Sequence, residues 1–111
     1  MGNIRIMFLR SLNYSPCGCV AISVDTRNRK LSYQFSVLNP ADKFDRKMAR
    51  HLALGRLVEA PITFSYAKGE TLTMHDISER VLEHLATSKA PTRAVKAAKL
   101  WLWEQGYSDA L

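Results

Sequence analysis

With 111 residues, 47 % of them hydrophobic and 23 % charged, the chain has the size and balance of a single globular domain and is too apolar to be disordered. Such a chain needs no disulfide or metal to fold, and its two cysteines, Cys17 and Cys19, are too few and too close for a disulfide scaffold. The formal charge of +6 is one-sided: residues 1–57 hold ten Lys/Arg against three Asp/Glu, and residues 58–111 hold six against seven.

Asn3 to Leu9 sets Ile4, Ile6 and Phe8 against Arg5, Met7 and Leu9, which predicts a strand with one face in the core. Residues 11–16 are turn-rich. Cys17 to Val24 is compact and β-branched, a second strand, and the polar run 25–30 reads as a hairpin turn. Leu31, Tyr33, Phe35 and Val37 then alternate with Ser32, Gln34 and Ser36, the clearest period-two signal in the chain. Three strands on short connections suggest an antiparallel meander with one wet face.

Asn39-Pro40 switches the period from strand to helix. Asn39 suits an N-cap, Pro40 the first helical position, and Asp42 the positive end of the helix dipole. Phe44, Met48 and Leu52 recur every fourth residue and are the expected buried stripe. Gly55 either ends this helix or sits inside it. Ile62, Phe64 and Tyr66 alternate as a short fourth strand. Thr73 and Asp76 form a capping-box pattern ahead of a helix from about Met74 to Thr87, whose apolar face is Ile77, Val81, Leu82 and Leu85. Pro91 opens a third helix through Val95, Ala98, Trp101 and Leu102 to a glycine cap at Gly106. The expected fold is α+β over residues 1–111: an antiparallel sheet of about four strands, order βββαβαα, with the helices packed on one face.

At 100° per residue, Lys43, Arg46, Lys47 and Arg50 fall within about 100° of one another on the first helix. The hairpin cations Arg27, Arg29 and Lys30 extend that patch if the hairpin folds toward the helix. One reading is a face that meets phosphates or an acidic protein. The other is a solvated helix face, with Asp42 to Arg46 as an i,i+4 pair. In the run Leu100-Trp101-Leu102-Trp103 consecutive side chains point 100° apart. At least one of Trp101 and Trp103 is therefore expected at an edge, as a candidate aromatic anchor.

The sequence carries no Walker loop, nucleophile elbow, HExxH or dinucleotide fingerprint. His51, His75 and His84 fall on separate elements without ligand spacing, so no metal and no cofactor are expected. No apolar run approaches the ~18 residues of a membrane span. Arg10 interrupts the first apolar stretch, so no signal peptide is read there. A non-enzymatic, cytoplasmic protein without a membrane partner is the expectation.

Within Tyr33 to Leu57, the residues Asn39, Pro40, Asp42, Phe44, Arg46, Lys47, Arg50, Ala53, Gly55, Arg56 and Leu57 make a strand, an Asn-Pro-x-Asp turn and a helix ending in Ala-x-Gly-Arg-Leu. This pattern, over about a quarter of the chain, resembles one found in small bacteriophage and prophage-encoded accessory proteins. The resemblance implies a setting, the cytoplasm of a bacterial host, and assigns no functional residue. It implies a protein that binds and inhibits a host protein or defence complex, CRISPR effectors included, or else one that binds DNA or RNA directly.

Overall fold

The computed structural model describes residues 3–39 and 43–106. Its elements are β1 (Ile4–Arg10), β2 (Pro16–Asp25), β3 (Lys30–Val37), α1 (Arg46–Glu59), β4 (Ile62–Ser65), α2 (Met74–Ala86) and α3 (Thr92–Glu104). The four strands make one antiparallel sheet in the order β1-β2-β3-β4, so the fold is α+β in the expected order.

The strands form where the alternation placed them. Asp25 fixes the β2–β3 hairpin by accepting from the backbone N–H and side-chain amide of Asn28 at 3.1 and 2.8 Å. Alternation then sorts the side chains onto two faces. Met7 and Leu9 of β1, Val20 and Ile22 of β2, and Leu31 and Tyr33 of β3 meet Ile77, Val81, Leu82 and Leu85 of α2 and Ala94, Ala98 and Leu102 of α3. This is the main core, and each fully buried large apolar side chain in it contributes roughly 1.5–3 kcal/mol.

The helices do pack against the sheet, but they are divided between its faces. Alpha helices α2 and α3 cover one face, and α1 covers the other. There Cys19 and Ala21 of β2 meet Ala53 and Leu57, with Ile6, Phe8, Ala49 and Leu54 packed around them. The face expected to be wet is therefore covered in its middle. Ser36 is buried and donates to the Ala49 carbonyl at 2.8 Å, and Gln34 donates to the Ala60 carbonyl at 2.7 Å. Polar side chains read as solvent-facing instead fasten a helix, because they bond carbonyls at its ends without holding it away from the sheet.

The first helix also differs in its start and in its buried stripe. Asp45, not Asn39, is the N-cap, and its carboxylate accepts from the Met48 N–H at 3.2 Å. Pro40 and Asp42 lie outside the described residues. Ala49, Ala53 and Leu57 face the sheet, whereas Met48 and Leu52 are 54 % and 41 % exposed. Both rows have i,i+4 spacing. The small Cys19 and Ala21 opposite favour alanines, which allow closer approach of helix and sheet. Gly55 sits inside the helix. The later helices hold to expectation: Thr73 and Asp76 form a complete capping box, and Gly106 follows α3 with a positive φ of 98°.

Candidate functional site

The cationic row is present and open to solvent. Arg46, Lys47 and Arg50 lie on α1 and Lys43 two residues before its N-cap, all exposed. The Arg46 guanidinium lies 4.6 Å from the centre of the Phe8 ring, which orients one cation. Around the same end Phe44 meets Phe8 edge-on, and Lys43, Phe44, Met48 and Leu52 line a hollow of about 210 Å³. The cations therefore interleave with uncovered apolar side chains.

Their position on the helix is electrostatically unfavourable for α1 alone. The first turn of α1 carries no acidic residue, so Arg46 and Lys47 sit at the positive end of the helix dipole, next to the cap carboxylate of Asp45. Cations stabilise the other end of a helix, and here they add to the positive potential. Arg56, at the C-terminal end, is placed favourably and donates to the Phe35 carbonyl at 2.8 Å.

The hairpin cations do not join this row. Arg27, Arg29 and Lys30 are exposed at the β2–β3 tip. The N-terminal part of α1 is fastened at Ser36, six residues along β3 from Lys30, or about 20 Å at strand rise. The tip is tied to the β4 edge of the sheet, where the Tyr66 N–H donates to the Arg29 carbonyl at 3.0 Å and continues the β3–β4 ladder. Seven of the ten cations of the first half thus fall into two separate groups.

The two tryptophans divide as the helical turn requires. Trp101 is half-buried against the main core, with its ring 5.8 Å from that of His75. Trp103 is 48 % exposed at the end of α3. Only Trp103 presents a free aromatic surface.

Sequence reasoning did not single out a second opening in the surface. A cleft of about 740 Å³ lies between the β1–β2 turn, the end of β3 and α3, with Cys17, Leu38, Phe44, Ala97 and Leu100 as its apolar lining and Arg10, Arg93 and Lys96 on it. Arg93 donates to the Leu38 carbonyl. Cys17 enters this cleft because of a β-bulge: Leu9 pairs with Gly18 and Arg10 with Pro16, which leaves Cys17 without an opposite residue. Cys17 and Cys19, expected on one side of their strand, are therefore packed on opposite sides. Burial pushes both thiols up, against nearby Arg93 and Arg50 respectively. Both cysteines are free.

A further polar pair lies at the edge of the main core. Tyr33 Oη and His84 Nδ1 are 2.7 Å apart, and His84 stacks on Phe64 with ring centres at 4.7 Å. Burial pushes the Tyr33 phenol up to about 12. Among the described residues no group of three or more His, Cys, Asp or Glu is placed to hold a metal ion, and no helix is long and apolar enough to cross a membrane. Comparison with protein-family models, curated proteins and solved structures gives no match.

Proposed function

We propose that this chain is a non-enzymatic binding protein that docks an acidic surface of a partner protein or nucleoprotein through the N-terminal half of α1. In the phage setting that its sequence pattern resembles, the partner is a host or defence complex and the docking inhibits it. The observation that carries this reading is the concentration of Lys43, Arg46, Lys47 and Arg50 around the positive end of α1. A helix end that works against its own dipole loses a little stability, and such local conflicts gather at functional sites. The exposed Met48 and Leu52 beside the cations favour a protein over bare nucleic acid. Phosphate contacts call for cations and hydrogen-bond donors, whereas protein interfaces add apolar anchors at their centre.

The test is capture of partners from nuclease-treated bacterial lysate, with wild type compared against a variant in which Arg46, Lys47 and Arg50 are all changed to Glu. Proteins retained by wild type and lost by the variant are the expected result. An identical retained set for both would sink the α1 reading. Direct DNA or RNA binding is the competing reading, measured on short duplex and single-stranded probes from 50 to 200 mM salt. Nucleic-acid affinity that falls with a slope of about −0.9 per phosphate contact in that series, and vanishes in the variant, would put nucleic acid in place of protein.

A further inference from the structure

We propose that the cleft between the β1–β2 turn and α3 binds a small amphipathic anion: an apolar tail carrying one carboxylate or phosphate head. The site is separate from the α1 face and does not depend on the docking reading. Its volume, about 740 Å³, lies within the roughly 300–1,000 Å³ of small-molecule sites. The apolar lining accounts for the tail. Leu100 and Ala97 are buried in its lining, and Leu12 on the turn is 80 % exposed, so a tail lying in the cleft covers an apolar side chain that the described residues leave open.

The charges account for the head. Among the described residues, Arg10, Arg93 and Lys96 are the charged side chains lining the cleft, with no Asp or Glu beside them in that lining. The first turn of α3, which holds Arg93, also has no acidic residue. A single anion thus meets three cations, with no carboxylate among the described lining residues. Arg93 is held in place by its bond to the Leu38 carbonyl, and one guanidinium N–H spent there leaves four for a ligand.

The turn is set in advance. The Ser11 N–H donates to the Ser15 carbonyl at 2.9 Å, the Ser15 N–H donates to the Asn13 side chain at 3.1 Å, and Tyr14 adopts a positive φ of 62°. These bonds fix the loop that carries Leu12, so little ordering remains for binding to supply. The bulge at Cys17 belongs to the same arrangement, since it turns a soft, apolar thiol into the cleft.

The experiment uses the full chain with decanoate, decyl phosphate and decanol as probes, each below its aggregation concentration. Affinity is read by calorimetry. Occupancy is read from N-ethylmaleimide alkylation of Cys17, located by mass spectrometry; Cys19 is buried and does not compete. Both anions are expected to bind and to slow alkylation, and the tighter of the two identifies the head group. Lys96→Glu and Arg10→Glu, both at exposed positions, are each expected to weaken binding about two- to fivefold. Leu12→Asp is expected to weaken it as well. Decanol binding as tightly as the anions overturns the proposal. So does an alkylation rate that saturating anion leaves unchanged, or an affinity indifferent to both charge reversals in variants whose circular dichroism matches wild type.

Discussion

Tyr33 carries the strongest single-residue consequence. Its side chain is fully buried, with the hydroxyl against His84 Nδ1 and the ring edge-on to Phe64. The two share one hydrogen bond, whose donor is set by the imidazole tautomer. Burial raises the phenol from its ordinary value of 10 to about 12 in the folded chain. A raised folded value means that the folded state resists ionisation while the unfolded chain ionises freely. The stabilisation is fully present below pH 10 and is lost as the pH rises through about 12. Alkaline unfolding followed by circular dichroism should therefore coincide with late phenolate absorbance from one of the four tyrosines. Tyr33→Phe should remove that coupling and lower stability at neutral pH by about 1 kcal/mol, because it leaves His84 Nδ1 without its hydroxyl partner. Alkaline unfolding unchanged in Tyr33→Phe would show that other groups drive it.

At the scale of elements, α1 is the part whose attachment is most specific. It rests on Ala53 and Leu57 against Cys19 and Ala21, with hydrogen bonds from Ser36 and Gln34 at its two ends. Contact between small residues lets the helix lie close, so added volume has nowhere to go. Ala53→Leu should cost about 1–3 kcal/mol by overpacking and raise amide exchange across α1 before the rest of the chain. Wild-type exchange rates in α1 would contradict this packing. The same interface explains what the sequence did and did not reveal. In α2 the large apolar residues and the capping box agree, so Thr73, Asp76, Ile77, Val81 and Leu85 all take their expected places. In α1 two rows share one spacing, and the larger one, Met48 and Leu52, is outward because the facing sheet residues are small. Strand alternation located β3 but not the partner of its polar face. The cleft left no periodic trace at all, because its lining comes from the turn after β1, from Leu38 and Phe44, and from α3.

At the scale of the whole molecule, seven of the ten cations of the first half fall into two groups, set apart by about 20 Å of β3 between Lys30 and Ser36. At physiological salt the screening length is about 8 Å, so the groups act separately on a partner. This separation gives a clean control. Changing Arg46, Lys47 and Arg50 to Glu, or Arg27, Arg29 and Lys30 to Glu, takes the formal charge from +6 to zero in either case. The two variants match in net charge and differ only in where it was removed. Both sets are exposed, so neither variant disturbs a buried contact, although the helix set gives up the Arg46–Phe8 stack. With poly-glutamate as probe, the α1 variant should lose about tenfold or more in affinity, and the hairpin variant less than about threefold. The reason is the local field. On α1 the cations add to a helix dipole and stand beside Met48 and Leu52, whereas at the hairpin they project from a turn with the Asp25 carboxylate close by. Equal losses in the two variants would mean that net charge alone governs association, and α1 would then hold no privileged place as a docking face.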